Sequence, residues 1–296
     1  MHKPETLKKN DKIAIVSPAG AINPDFISSA SNLMKNYGFQ PIIFPSCIKK
    51  HFQFAAKDEE RLEDLQAALD DKDIKAILCS RGGYGLIRIL DKLNFDKFLK
   101  NPKWIIGFSD ITNLHIALNN HFVMSIHGLM AKAMHEEPEA EAVKNIFKIL
   151  NGEKPKIICE NHEFNKNGFA QAEIIGGNLS IIYSLQGTKF EINTDGKILF
   201  IEDLNEYLYH LDRMMLSLKM AKKFDNLKAL IVGNFTDMKD NPNPFGKTAY
   251  EIIAEHVAEF DFPVCFNFPI GHIDNNMPII CGQEYKLEIS EKVILS

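Results

Sequence analysis

The sequence predicts an α/β fold, with a parallel-sheet domain in the N-terminal half and a smaller, strand-rich α+β domain after it. Three observations carry that expectation. Short apolar runs alternate with segments of helical period through the first 150 residues, the pattern of a parallel sheet covered on both faces. The texture then breaks at 151–170, a polar stretch punctuated by Asn-Gly, Lys-Pro and Lys-Asn-Gly. A length of 296 residues suits about two domains. The expected division is therefore 1–150, a linker over 151–170, and 171–296.

Taken in order, Lys12–Val16 reads as a buried strand ending in Ser17-Pro18-Ala19-Gly20. A helix follows from about Asp25 to Asn36, stopped by Tyr37-Gly38, and Gln40–Phe44 is the second strand. Asp58–Asp70 is an amphipathic helix with Leu62, Leu65 and Leu69 on one face. Ile74–Cys79 is a strand running into Ser80-Arg81-Gly82-Gly83-Tyr84-Gly85, and the helix Leu86–Leu93 follows it. Trp104–Ile106 and Phe122–Ile126 are further strands, with a helix opening at Ser109 between them and another at Glu139–Leu150. Beyond the break come a Gly-Gly-Asn turn (Gly176–Asn178), a helix Leu179–Leu185 and the strand Lys197–Glu202. A long helix over about Asn205–Lys223, a strand Ala229–Gly233, a helix Lys247–Glu259 and short strands at Val264–Phe266, Ile279–Cys281 and Tyr285–Ile289 complete the chain. No internal repeat is present.

Composition narrows the function classes. A net charge of −5 offers no electrostatic case for nucleic acid or an anionic membrane. No apolar stretch nears the about 18 residues that span a bilayer, and the Lys-rich start lacks a signal-peptide core. Five scattered cysteines (Cys47, Cys79, Cys159, Cys265, Cys281) include no C-x-x-C pair, which fits a reducing, cytoplasmic setting. Neither H-E-x-x-H nor a carboxylate cluster points to a metal, and no cofactor fingerprint occurs.

In a parallel sheet the ligand crevice lies outside the carboxyl ends of the strands. Pro18–Gly20, Arg81–Gly85, Ser109-Asp110 and His127-Gly128 all fall at that edge. Trp104–Gly107 running into Phe108-Ser109-Asp110 and a helix is how a protein lifts one serine hydroxyl clear of its sheet. The same residues also read as an ordinary helix N-cap. A serine nucleophile needs a base, and the base needs an orienting group. Glu202 stands where an apolar strand meets a loop, although Glu202-Asp203 also read as cap acids for the next helix. His272 stands in the tightly turned Phe268-Pro269-Ile270-Gly271 loop, where a plain turn residue is the alternative. His127 is the second choice for base or substrate contact. His115, six residues after Ser109, is expected to rise roughly 9 Å along the helix and face away. The glycines of Arg81–Gly85 are placed to supply an oxyanion donor, with the N–H of Asp110 as the second, or else to cradle a phosphate.

Several stretches together resemble one family, the LD-carboxypeptidases, serine peptidases that include the microcin-immunity hydrolases. They are Ile13–Gly20, Ser80–Gly85, Ile105–Thr112, His127-Gly128, Gly176–Ser180 with Gly187-Thr188, Glu202-Asp203 with Tyr209, Arg213 and Met214, and Phe268–His272. They run in the family's order across nearly the whole chain. The resemblance implies a Rossmann-like N-terminal domain with the nucleophile and a C-terminal domain with acid and base. Its Ser-Glu-His triad falls on Ser109, Glu202 and His272. Ile111 stands where G-x-S-x-G would have its second glycine, so an α/β-hydrolase proper is disfavoured.

The resemblance further implies release of the terminal D-alanine from a murein tetrapeptide during cytoplasmic peptidoglycan recycling, by a homodimer. Gly82, Gly83 and Asp110 would hold the oxyanion, and Arg81, Tyr84, His127 and Arg213 are candidate substrate contacts, with Arg81 or Arg213 facing the terminal carboxylate. Two other readings stay open: hydrolysis of acyl-adenylate conjugates, and a non-catalytic protein that holds phosphate or nucleotide on Ser80–Gly85.

Overall fold

A computed structural model describes residues 1–296, which divide into two units. The first is Met1–Pro155 with Met277–Cys281; the second is Lys156–Asn276 with Gly282–Ser296. The strands of the first are β1 (Lys12–Val16), β2 (Gln40–Ile43), β3 (Ile74–Cys79), β4 (Trp104–Gly107) and β5 (Ser125–His127). Those of the second begin with β6 (Ile157–Glu160), β7 (Gly168–Asn178), β8 (Ile198–Leu204), β9 (Ala229–Thr236) and β10 (Val264–Cys265). Next, β11 (Ile279–Cys281) belongs to the first unit again, and β12 (Glu284–Ile289) and β13 (Lys292–Leu295) to the second.

The first sheet has the order β11-β5-β4-β3-β1-β2. Its five N-terminal strands pair in parallel, as their continuous apolar runs require, and only β11 is antiparallel, with Ile279 opposite His127. The strand order reverses between β1 and β3, so the turns after them flank the topological switch point where such sheets bind ligands. Helices α1 (Pro24–Asn36) and α2 (Asp58–Asp70) connect the first three strands. Asn23 caps α1 by accepting from Asp25 N at 3.0 Å, and Pro24 opens it. Short helices α3 (Ile87–Leu90) and α4 (Asp96–Lys100) precede β4, then α5 (Thr112–Asn120), α6 (Ala131–Glu136) and α7 (Glu141–Leu150) follow it. The core of this unit is aliphatic: Ile13, Ile15, Ile77, Leu78, Ile105 and Ile106 are all buried.

The second sheet has the order β10-β9-β8-β7-β12-β13-β6. Strands β7 to β10 run parallel, and β12, β13 and β6 complete the sheet with antiparallel pairings. Helices α8 (Leu179–Ser184), α9 (Leu208–Met220) and α10 (Ala249–Val257) connect the parallel strands, and α10 opens with a capping box between Thr248 and Glu251. A parallel-sheet first unit and a strand-rich second unit of mixed α and β structure are the fold class the sequence predicts; the parallel pairing of β7 to β10 goes beyond the expected α+β pattern.

The Gly-Gly-Asn segment is not a turn. Gly176, Gly177 and Asn178 are the last three residues of β7, paired with Phe200, Ile201 and Glu202 of β8. A Cβ on Gly176 would lie 1.9 Å from the Phe200 carbonyl oxygen, and its φ is +146°. Glycine here serves close backbone approach within a strand, a use that composition alone does not separate from a turn. The stretch 151–170 likewise carries β6 and the start of β7.

Candidate active site

In the first unit, β4 ends at Gly107, Phe108 stays extended (φ −152°), and Ser109 turns abruptly to φ +63°. A tight turn over Ser109–Ile111 then leads into α5. A non-glycine residue in the left-handed region costs about 1–2 kcal/mol, and such strain collects at functional turns. Against this turn lies Gly82. A Cβ there would be 2.9 Å from Ser109 Cβ and 3.2 Å from its Oγ, so only glycine lets the β3 turn approach the hydroxyl so closely. Gly20 N–H in turn donates to the Gly82 carbonyl at 3.0 Å, tying the β1 turn to the β3 turn.

Asp110 points back into the unit. Its carboxylate accepts from Leu86 N at 2.9 Å and from Asn113 Nδ2 at 3.1 Å. Burial pushes its pKa up to about 6, against the lowering effect of those hydrogen bonds and of nearby Arg61. His115 supports the turn from behind: Nε2 lies 2.8 Å from the Gly107 carbonyl and Nδ1 2.8 Å from Ser125 Oγ. A carbonyl only accepts, so Nε2 carries the proton and Nδ1 accepts from the serine. Burial lowers the His115 pKa to about 4, which keeps the ring neutral in that role. The expectation that His115 faces away from Ser109 overlooks this buttress.

The remaining first-unit candidates differ in exposure. Arg81 is exposed and donates from Nη1 to the Ala21 carbonyl at 2.6 Å. Tyr84 is exposed, with its ring 6.1 Å from that of Phe54. His127 is fully buried in β5, edge-on to Phe108 at 5.9 Å. Gly83 is exposed at φ +96°.

In the second unit, Glu202 on β8 and His272 in the loop before β11 come together: Glu202 Oε2 lies 2.8 Å from His272 Nδ1. Glu202 is wholly buried, while the His272 side chain keeps 17% exposure. Burial pulls the His272 pKa down, yet its hydrogen bond to Glu202 and the Glu202 and Asp203 charges outweigh this and raise it above 6.5. The loop is fixed at several points. Gly271 N donates to Asn276 Oδ1 at 3.0 Å, and Asn234 holds the Phe268 and Ile270 carbonyls.

Asp203 does not cap the helix after β8. It accepts from Asn178 Nδ2 (2.9 Å), Ser180 N (2.8 Å) and Leu204 N (2.9 Å), and so links the end of β7 to that of β8. Burial and the adjacent Glu202 charge push its pKa up to about 7. Arg213 is exposed on α9, its guanidinium 5.3 Å from the Tyr209 ring centroid. No group of three or more His, Cys, Asp or Glu side chains gathers as a metal site. No helix is long and apolar enough to cross a membrane.

The sequence pattern that defines the LD-carboxypeptidase N-terminal domain matches residues 13–128, and the one for the LD-carboxypeptidase C-terminal domain matches 171–287. A probable murein peptide carboxypeptidase of Bacillus subtilis is 30% identical over 298 residues, covering 98% of this chain and 93% of the relative. The crystal structure of a muramoyltetrapeptide carboxypeptidase from Oxalobacter formigenes superposes with a TM-score of 0.85 at 26% identity, covering 96% of this chain and 98% of that one. The Microcin C7 self immunity protein MccF has the same fold, with a TM-score of 0.84 at 21% identity over 99% of this chain and 97% of that one.

Proposed function

We infer the reaction from one premise: the chain belongs to the LD-carboxypeptidase family of serine-type peptidases. The proposed substrate is a murein tetrapeptide, and the proposed product is its terminal D-alanine, released in the cytoplasm during peptidoglycan recycling. Ser109, Glu202 and His272 are the proposed triad. The observation that carries the reading is the Ser109 turn, a strained left-handed serine at the end of a parallel strand with a glycine loop against its hydroxyl. Support from the second unit is the buried Glu202 carboxylate on His272 Nδ1.

In this mechanism His272 Nε2 takes the Ser109 proton as Oγ attacks the carbonyl carbon of the terminal peptide bond. Glu202 holds the tautomer and stabilises the imidazolium that forms. The N–H of Asp110 and one from Gly82-Gly83 hold the tetrahedral oxyanion, each worth about 3–4 kcal/mol in comparable sites. His272 then protonates the leaving amine of D-alanine, and water, deprotonated by the same imidazole, frees the acyl group from Ser109. Arg81 and Arg213 are the cations proposed for the terminal carboxylate, and Tyr84 and His127 the further proposed substrate contacts. A homodimer is the proposed assembly.

The test is D-alanine release from a purified murein tetrapeptide. Ser109→Ala should reduce kcat at least about 10³-fold with an unchanged circular dichroism spectrum, and EDTA should leave the wild-type rate intact. Wild-type protein that releases no D-alanine sinks the reading. A Ser109→Ala variant that keeps its activity would instead favour a glycine-loop binding protein with an adventitious hydrolase.

A further inference from the structure

Arg61 lies on the inner face of α2 with no exposed surface. Its guanidinium reaches carbonyls of the surrounding loops as well as one acid of its own helix. Nη1 donates to the Gly85 carbonyl at 2.9 Å and also to the Pro18 carbonyl, and Nε donates to the Ala56 carbonyl at 3.2 Å. Nη2 pairs with Asp58, which also holds Arg88, and the Phe54 ring lies 5.1 Å from the Arg61 guanidinium carbon. Pro18 and Gly85 belong to the turns after β1 and β3, the two that flank the switch point. A buried cation is weak evidence for stability, because a well-packed apolar residue often does as well. What the planar fork supplies is geometry, since one rigid group fixes carbonyls from two separate turns.

The Gly85–Leu86 peptide is gripped from both sides. Its carbonyl accepts from Arg61, and its N–H donates to Asp110 Oδ2 at 2.9 Å. One peptide plane thereby connects the buried guanidinium to the residue that follows Ser109. On the other flank, the Pro18 turn carries Gly20, whose N–H holds the Gly82 carbonyl at 3.0 Å. Gly82 is the residue that meets Ser109.

We propose that Arg61 is a positioning residue for the hydrolytic reaction: through the Pro18 carbonyl and the Gly85–Leu86 peptide it fixes the Gly82-Gly83 loop against Ser109. The proposal rests on the reading of Gly82-Gly83 as oxyanion donors.

The test uses the full chain and two readouts: kcat and KM for D-alanine release, and the rate at which a fluorophosphonate labels Ser109. The phosphonate oxygen seeks the same donors as the oxyanion, so the second readout needs no peptide substrate. In Arg61→Lys, which keeps the charge and loses the fork, both rates should fall about 100-fold, the scale of a 1 Å misplacement. KM should change by a smaller factor than kcat: Arg81 and Tyr84, proposed substrate contacts, sit on the same loop, but the oxyanion donors act only in the transition state. In Arg61→Ala, millimolar guanidinium should raise both rates where urea does not. Where the Arg61 variants fail to fold, Gly85→Ala decides: its Cβ would stand 2.9 Å from Arg61 Nη1, and the same loss, larger in kcat than in KM, is expected. Rates within about threefold of wild type in a folded variant, or a loss that tracks the unfolded fraction, overturn the proposal. Wild-type activity beside unaffected variants removes the positioning role alone. Wild-type protein that neither releases D-alanine nor labels at Ser109 removes the functional reading and this proposal with it.

Discussion

The Glu202–His272 pair ties a charge state to a measurable pH. As the proposed base, His272 would work only when neutral, and its pKa is raised above 6.5, so the acid limb of kcat/KM should lie above pH 6.5. Glu202→Gln removes the carboxylate that raises the pKa and leaves the burial that lowers it. The limb should therefore move to lower pH, while kcat falls on the order of 10³–10⁴-fold through loss of the tautomer-holding charge. The sign for stability follows from the same shift. A group with a raised folded pKa contributes stability below its unfolded value, here 6.5, and loses it as pH rises through the folded pKa. Wild type should thus exceed Glu202→Gln in urea resistance by most below pH 6.5, and the gap should narrow as pH rises through the folded pKa of His272. An acid limb that stays in place in Glu202→Gln would assign the titration to another group. His115 offers a second test at this scale. His115→Phe removes one of the two donors to the Gly107 carbonyl, which keeps the Gly128 N–H at 3.0 Å, and takes the imidazole acceptor from the Ser125 hydroxyl; it should cost about 1–3 kcal/mol in urea unfolding.

At the scale of elements, the ends of β7 and β8 form one unit. Gly176 lets the two backbones touch, and Asp203 takes hydrogen bonds from Asn178 and Ser180 just beyond. Gly176→Ala would drive a Cβ into the Phe200 carbonyl and should destabilise the protein by more than about 3 kcal/mol in denaturant melts. The same place shows what a linear reading can and cannot reach. Strands β1, β3 and β4 were legible because parallel strands buried on both faces are written as continuous apolar runs. Ser109 was legible because its strand, turn and helix are consecutive. Gly176-Gly177 read as a turn because a glycine that admits a neighbouring backbone is spelled like one that reverses the chain. Arg61 left no signal at all: Asp58 and Arg61 at i and i+3 look like a surface ion pair, and its true partners Pro18 and Gly85 are remote in sequence. The role of His115 was hidden for a related reason, since the helical rise from Ser109 says nothing of the strand carbonyl behind the turn.

At the scale of the whole molecule, the first unit borrows its outermost strand from the far end of the chain. Residues Met277–Cys281 pair with β5 through Ile279–His127 and Cys281–Ser125. A fragment of residues 1–155 should therefore melt less cooperatively, and at lower urea, than the same fragment carrying 275–283 on a flexible linker. Circular dichroism of the two fragments checks this, and equal melts would show that β11 is dispensable to the unit. More than a hundred residues separate Pro155 from Met277, so a ribosome needs on the order of ten seconds to deliver the missing strand. Throughout that interval β5 presents an unpaired edge to the cell, the kind of surface that recruits neighbouring chains. The nascent protein is thus exposed to misassembly in proportion to how slowly its second half is translated.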